Sequence, residues 1–367
     1  MRPVVGALAI AAGLVAARGD GANPPAAPRY LIDDSHVHLT DYIQEGITAR
    51  DLLRVMGDKV GRAVLFGIPL QQMWSYRVDG DNAPLYYLDS DAPLYYYSFT
   101  DATIAMAYLS LPADQRARFD PMITGFNPAD MYAADHVRRV LTTFPGVFEG
   151  IGEFSLHKEF VTSKVAGDVP SLEDPALDRL FGFAEDVGLV VLLHCDVDTP
   201  FPKPGVDPAY FTEISALFKR HPNATIIWAH IGLGRVVRPV TDQARLVAAM
   251  LDNPKLSHVM FDLSWTETAK YIVATPATIK VVADLITKHP DRFLFGTDEV
   301  APKNQQDYLS VYRQYQPLWD RLPPAVLERV RKGNYERVFD EARRRVRAWE
   351  QLHRTDTIGH QPIVRRP

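Results

Sequence analysis

Short, continuously apolar runs recur along this 367-residue chain, and most are followed by a longer amphipathic stretch. No other feature limits the fold as strongly. Eight runs read as strands, near 30–38, 62–68, 120–126, 147–153, 189–194, 224–230, 257–263 and 292–297. The fifth, sixth and eighth, Leu189–His194, Ala224–His230 and Arg292–Asp298, are apolar without alternation, as strands covered on both faces are. Helices are expected near 129–143, 174–187, 207–220, 237–251, 276–289 and 304–315, with two more at 324–332 and 334–352. Breaks such as Phe201-Pro202-Lys203-Pro204-Gly205 and His221-Pro222-Asn223 separate many of them. Repeated strand–helix units build a parallel sheet, and eight of them predict a (β/α)8 TIM barrel over residues 29–352, one domain with C-terminal helices. A doubly wound open sheet is the competing architecture. Against it, no Gly-x-Gly-x-x-Gly follows an early strand and there is no P-loop; Gly232-Leu233-Gly234 is too short for either.

Sites on such barrels gather at the C-terminal ends of the strands. The first run leads into Asp33-Asp34-Ser35-His36-Val37-His38, and residues i and i+2 of a strand share a face, so His36 and His38 can aim two imidazoles at one point. His194 ends the fifth run, His230 the sixth and Asp298 the eighth. The separations are 36 and 68 residues, one unit and two. A barrel of about 250 residues allots roughly 31 per unit. Each residue alone has a plain structural explanation: an alternating strand, a hydrogen-bonded core histidine, a helix cap. Four strand ends carrying them together, in a chain of eleven histidines, point to a shared metal site.

Other stretches narrow the partners. A net charge of -5 argues against nucleic acid, and Arg343-Arg344-Arg345 with Arg347, interleaved with Glu341 and Glu350, reads as a solvated helix face. The single cysteine, Cys195, excludes an intramolecular disulfide. Residues 1–28 read as a signal peptide and linker: Arg2, an apolar stretch over 4–17, then Gly21–Pro28, giving an exported or periplasmic location if cleaved and a cytoplasmic one otherwise. Residues 353–367 read as a tail. No other run is long enough to span a membrane, so none is expected in the mature form. The insertion over 84–99, with Tyr86-Tyr87 and Tyr95-Tyr96-Tyr97, follows the second strand and therefore lies on the site's face. Its tyrosines, Tyr95 and Tyr96 among them, either cover a small-molecule substrate or pack the loop or a homo-oligomer contact. Arg235 and the pair His157-Lys158, just beyond strand ends, are candidates for binding an anionic group of that substrate.

These residues carry a family resemblance. His36-x-His38, Leu193-His194, Trp228-Ala229-His230-Ile231-Gly232, Phe295-Gly296-Thr297-Asp298 and Gly333-Asn334-Tyr335-Glu336-Arg337-Val338-Phe339 together resemble the amidohydrolase superfamily. Within it, the chain looks like the amidohydrolase-related branch that includes aminocarboxymuconate-semialdehyde decarboxylase-like proteins. The resemblance implies a divalent metal, commonly zinc, held by His36, His38, His194 and Asp298, with His230 orienting water or polarising substrate. Nitrogen-rich ligation with one carboxylate independently suits zinc, and Asp298 beside it can move the proton. Glu153, closing the fourth run, matches the place where related metal hydrolases put a carboxylate bridging a second ion; it equally fits a group that bonds a ligand histidine. No lysine stands at this strand end in the position of a carbamylated bridge; Lys158 lies five residues on. The expected activity is hydrolysis of an amide, ester or lactone. Non-oxidative decarboxylation of an unsaturated or aromatic acid is the alternative, and a catalytically inactive metal-binding barrel the third reading.

Overall fold

The computed structural model describes residues 30–167, 171–239 and 243–353; the expected export segment and nearly all of the expected tail lie outside them. Eight parallel strands follow one another around a single sheet in sequence order: β1 (Ile32–Asp34), β2 (Val60–Leu65), β3 (Phe119–Ile123), β4 (Gly150–Ser155), β5 (Val190–His194), β6 (Thr225–Trp228), β7 (Val259–Leu263) and β8 (Phe293–Phe295). The two ends of the sheet meet. Ser35 donates its N–H and its hydroxyl to Phe295 O at 3.1 and 3.0 Å, and Thr297 N–H donates to His36 O at 3.2 Å. The sheet is therefore rolled into a nearly closed barrel with helices outside it, as the eightfold alternation predicts. Every residue of β5 and β8 is buried, which is why those segments read as unbroken runs.

Local chemistry sets the helix limits. In Pro175–Val187 the Asp174 carboxylate accepts from Ala176 N at 2.8 Å, proline takes the first turn where no N–H is needed, and Gly188 ends it at φ 87°. Its Leu177, Leu180, Phe181, Ala184 and Val187 are buried, and each large side chain contributes about 1.5–3 kcal/mol. Pro276–Lys288 starts the same way, with a reciprocal Thr275–Thr278 capping box.

Three departures from expectation have physical causes. The expected first strand breaks after Asp34, because Ser35 turns to Phe295 and the Asp34 side chain accepts from His36 N at 3.0 Å; Val37–His38 then pairs with Glu299–Val300. The expected 304–315 helix is two short pieces, Gln305–Tyr308 and Ser310–Gln314, while helices at Ala49–Met56, Phe99–Leu109 and Thr266–Ile272 join those expected. The basic cluster near the C-terminus is only partly a solvated face. Arg343 bonds Asp120 at 2.6 Å and Arg347 bonds Glu149 at 2.6 Å, and both carboxylates are buried where strands begin. Asp120 also holds Arg62 at 2.8 Å and the Tyr335 hydroxyl at 2.6 Å, so Asn334–Leu352 is clamped across the barrel's floor. Among the described residues no helix is long and apolar enough to cross a membrane.

Candidate metal centre

At the other end of the barrel, five strand ends bring histidines and carboxylates into one buried group. His36 Nε2 and His38 Nε2 lie 3.2 and 3.1 Å from Asp298 Oδ1. Glu153 Oε2 stands 3.3 Å from His38 Nε2 and 3.9 Å from His36 Nε2. The other oxygen, Glu153 Oε1, faces His194 Nδ1 at 2.6 Å, Lys158 Nζ at 3.2 Å and His230 Nε2 at 3.7 Å. Potential ligand atoms thus converge in three overlapping sets: His36, His38, Glu153 and Asp298; Glu153, His194 and His230, which shares Glu153 with the first; and His36, His230 and Asp262. All the expected site residues of strands one, four, five, six and eight come together here. His194 joins through Glu153, since its second nitrogen, Nε2, is 3.1 Å from Asp196 Oδ1.

A layer behind them, from β7, fixes proton positions. His36 Nδ1 lies 2.9 Å from Asp262 Oδ2, and a carboxylate can only accept, so Nδ1 carries the proton. Ser264 donates its hydroxyl to the same Asp262 oxygen, which leaves Ser264 Oγ to accept from His230 Nδ1 at 2.9 Å. Both imidazoles therefore turn Nε2 inward, and both Nε2 atoms are buried without a hydrogen-bond partner. Buried polar atoms are seldom left so, and orphaned nitrogens aimed at a carboxylate pair are the mark of a cation's ligands. The donor set fits a divalent metal ion.

Charge follows the same layout. Burial pulls the His36 imidazole down, but Asp298, Asp262 and Glu153 together lift its pKa well above the ordinary value. Burial lowers His230, which stays neutral. Burial alone would raise Glu153 and Asp298. The Lys158 ammonium and the surrounding histidines reverse this for Glu153, and His36 with His38 does so for Asp298, so both fall below the usual carboxylate range. The backbone is bent to match: His230, Ile231, Trp265 and Asp298 have φ of 56, 55, 71 and 56°, a region costly to residues with a side chain. Gly296 has to be glycine, because a Cβ there would come within 2.6 Å of His36 Cβ.

The mouth holds the remaining candidates. Arg235 lies over the Trp265 ring at 5.8 Å, and that ring is 5.0 Å from His230. Its guanidinium donates to the hydroxyls of Tyr86 at 3.1 Å and Tyr87 at 3.4 Å. Tyr95 turns to solvent, and Tyr96 sits beside Leu70, Leu156 and Val161. His157 stacks on Tyr210 with ring centroids 3.8 Å apart. Asp262, Ser264, Trp265 and Asp196 are the residues the sequence reading does not select.

The profile of the amidohydrolase family matches residues 33–340 of the sequence. A sequence search among characterised proteins finds no match. Among solved structures, the fold resembles a probable 2-pyrone-4,6-dicarboxylic acid hydrolase from Acinetobacter baumannii with citric acid bound, at 10% identity over 84% of this chain and 99% of that one, TM-score 0.50. It also resembles an amidohydrolase from Burkholderia multivorans with bound zinc, at 15% identity over 84% and 99% of the two chains, TM-score 0.50.

Proposed function

The chain belongs to the amidohydrolase family, and from that premise we propose that it is a metal-dependent hydrolase cleaving an amide, ester or lactone-type acyl bond of a small molecule. One observation carries this reading: the two partnerless buried Nε2 atoms, of His36 and His230, face the ionised carboxylates of Asp298 and Glu153. His36, His38 and Asp298 would hold the ion, with Glu153 Oε2 beside them and His194 reaching the group across Glu153. Zinc suits three or four such donors, and when bound it lowers the pKa of a water to about 7 and polarises an acyl oxygen. The protein's own groups supply the rest. Asp298, held as a carboxylate, accepts the water's proton and returns it to the leaving nitrogen or oxygen. His230, neutral and with its proton fixed on Nδ1 by Ser264, offers a basic Nε2 3.9 Å from Asp298 Oδ2 and orients the water.

Decarboxylation is the second reading, and Arg235 favours it: a guanidinium one aromatic ring away from His230 suits a substrate that carries a carboxylate. Products separate the two. Metal-stripped and zinc-restored protein is assayed on panels of lactones, esters, amides and carboxylated aromatics. A new carboxylate with an alcohol or amine, dependent on the ion, is the expected result; bicarbonate release instead selects the decarboxylase. Activity unchanged after complete metal removal refutes both.

A further inference from the structure

The two oxygens of Glu153 live in different surroundings. Oε2 looks toward His36, His38 and Asp298, and among the described residues no lysine or arginine nitrogen pairs with it or with Asp298. Oε1 looks toward His194 and His230 and already has a cation, Lys158 Nζ at 3.2 Å. The Lys158 side chain is only 11% exposed, so water does little to dissipate its charge.

The loop that delivers this lysine is tied on both sides. Lys158 N–H donates to Thr162 Oγ1 at 2.7 Å, and that hydroxyl donates back to Leu156 O at 3.0 Å. The next residue, Glu159, is buried; its N–H donates to Asp196 Oδ2 at 2.9 Å, and its carboxylate accepts from the backbone of Arg235, Val236 and Val237. The ammonium is therefore held in place at Glu153 by a rigid loop. It occupies the lone pairs a second ion in the Glu153–His194–His230 set would need, and repels a dication at close range.

We infer that Lys158 is the resident cation of that second set, so that the protein takes one divalent ion, at His36, His38 and Asp298, where the binding atoms would otherwise accommodate two. This rests on the metal-dependent reading above. Lys158 is a positioning residue in this account: it sets the number of ions and holds Glu153 without itself touching the reacting atoms.

The test counts metal. Chelator-stripped protein is titrated with Zn2+, desalted and measured by inductively coupled plasma mass spectrometry, and the Mn2+ form is examined by electron paramagnetic resonance. The expected result is one ion per chain for the wild type and for Lys158→Arg, and two for Lys158→Met, with the second bound at least 100-fold more tightly than any second ion in the wild type. The Mn2+ spectrum of Lys158→Met then shows an exchange-coupled pair, which a merely structural lysine would not produce. Lys158→Gln gives the same comparison should the Met variant not fold. Two ions in the wild type, with or without a bicarbonate-dependent carbamate on Lys158, overturn the inference; so does a folded Lys158→Met or Lys158→Gln that still binds one. No ion in the wild type defeats the metal-dependent reading itself.

Discussion

Asp262→Asn isolates what the layer behind the ligands contributes. The Asp262 carboxylate accepts the His36 Nδ1 proton at 2.9 Å and the Ser264 hydroxyl at the same oxygen, and thereby decides which nitrogen of His36 faces inward. A hydrogen bond to a charged acceptor is worth about 1.5–3 kcal/mol net and one to a neutral acceptor about 0.5–1.5, so the amide forfeits on the order of 1.5 kcal/mol, about tenfold in affinity. Asparagine can also turn its NH2 toward Nδ1, which forces the proton onto Nε2 and removes a ligand. Such losses behind a metal site reach about 100-fold. Competition of the protein with a chromophoric chelator for Zn2+ should therefore show a dissociation constant 10- to 100-fold weaker in the variant. The metal-free protein should also melt lower than the wild type, since the substitution takes the charge from one partner of the buried His36–Asp262 pair. Affinity within twofold of wild type would refute the argument that Asp262 fixes the His36 tautomer.

Two further outcomes test the scaffold. Asp120→Ala leaves Arg62, Arg343 and Tyr335 without their shared buried acceptor and should lower stability in urea by about 3 kcal/mol; a loss below 1 would mean the clamp on the floor of the barrel is idle. Burial raises the Asp33 pKa from 3.8 to about 7, so the native protein binds that proton more tightly than the unfolded chain does. The stabilisation is whole below about pH 4 and is lost as pH rises through 7. Asp33→Asn, which keeps an acceptor for Arg62 N, should gain on the wild type by on the order of 2 kcal/mol between pH 4 and 8; parallel stability curves would contradict this.

The legible parts of the molecule are those in which a chemical group directly ends its own strand signal. His194 closes an unbroken apolar run, and His230 and Asp298 follow theirs within three residues, so fold and site could be read from the same letters. Asp262 and Ser264 were not selected, because polar residues two apart in Met260-Phe261-Asp262-Leu263-Ser264 read as one face of a half-exposed strand. Their signal was available: they stand at a strand's C-terminal end with the same i, i+2 spacing as His36 and His38. The tyrosines depended on how a long insertion folds. The pairing of Leu70–Gln72 with Leu94–Tyr96 directs Tyr95 outward, while Tyr86 and Tyr87 meet Arg235, a residue almost 150 positions away. Helical periodicity likewise places Arg343 and Arg347 on a helix without revealing the buried carboxylates they meet.

The seam where the last strand meets the first has a consequence in time. Ser35, His36 and Asp34 are bonded to Phe295 and Thr297, and 260 residues separate His38 from Asp298. A chain made from its N-terminus carries its two leading histidines long before the carboxylate that completes their set exists. Until the eighth strand arrives, those histidines offer an ion a pair of nitrogens and little else, a weak and unselective foothold. Full affinity appears at the moment the ring shuts, which makes ion capture a report that the whole barrel has been assembled.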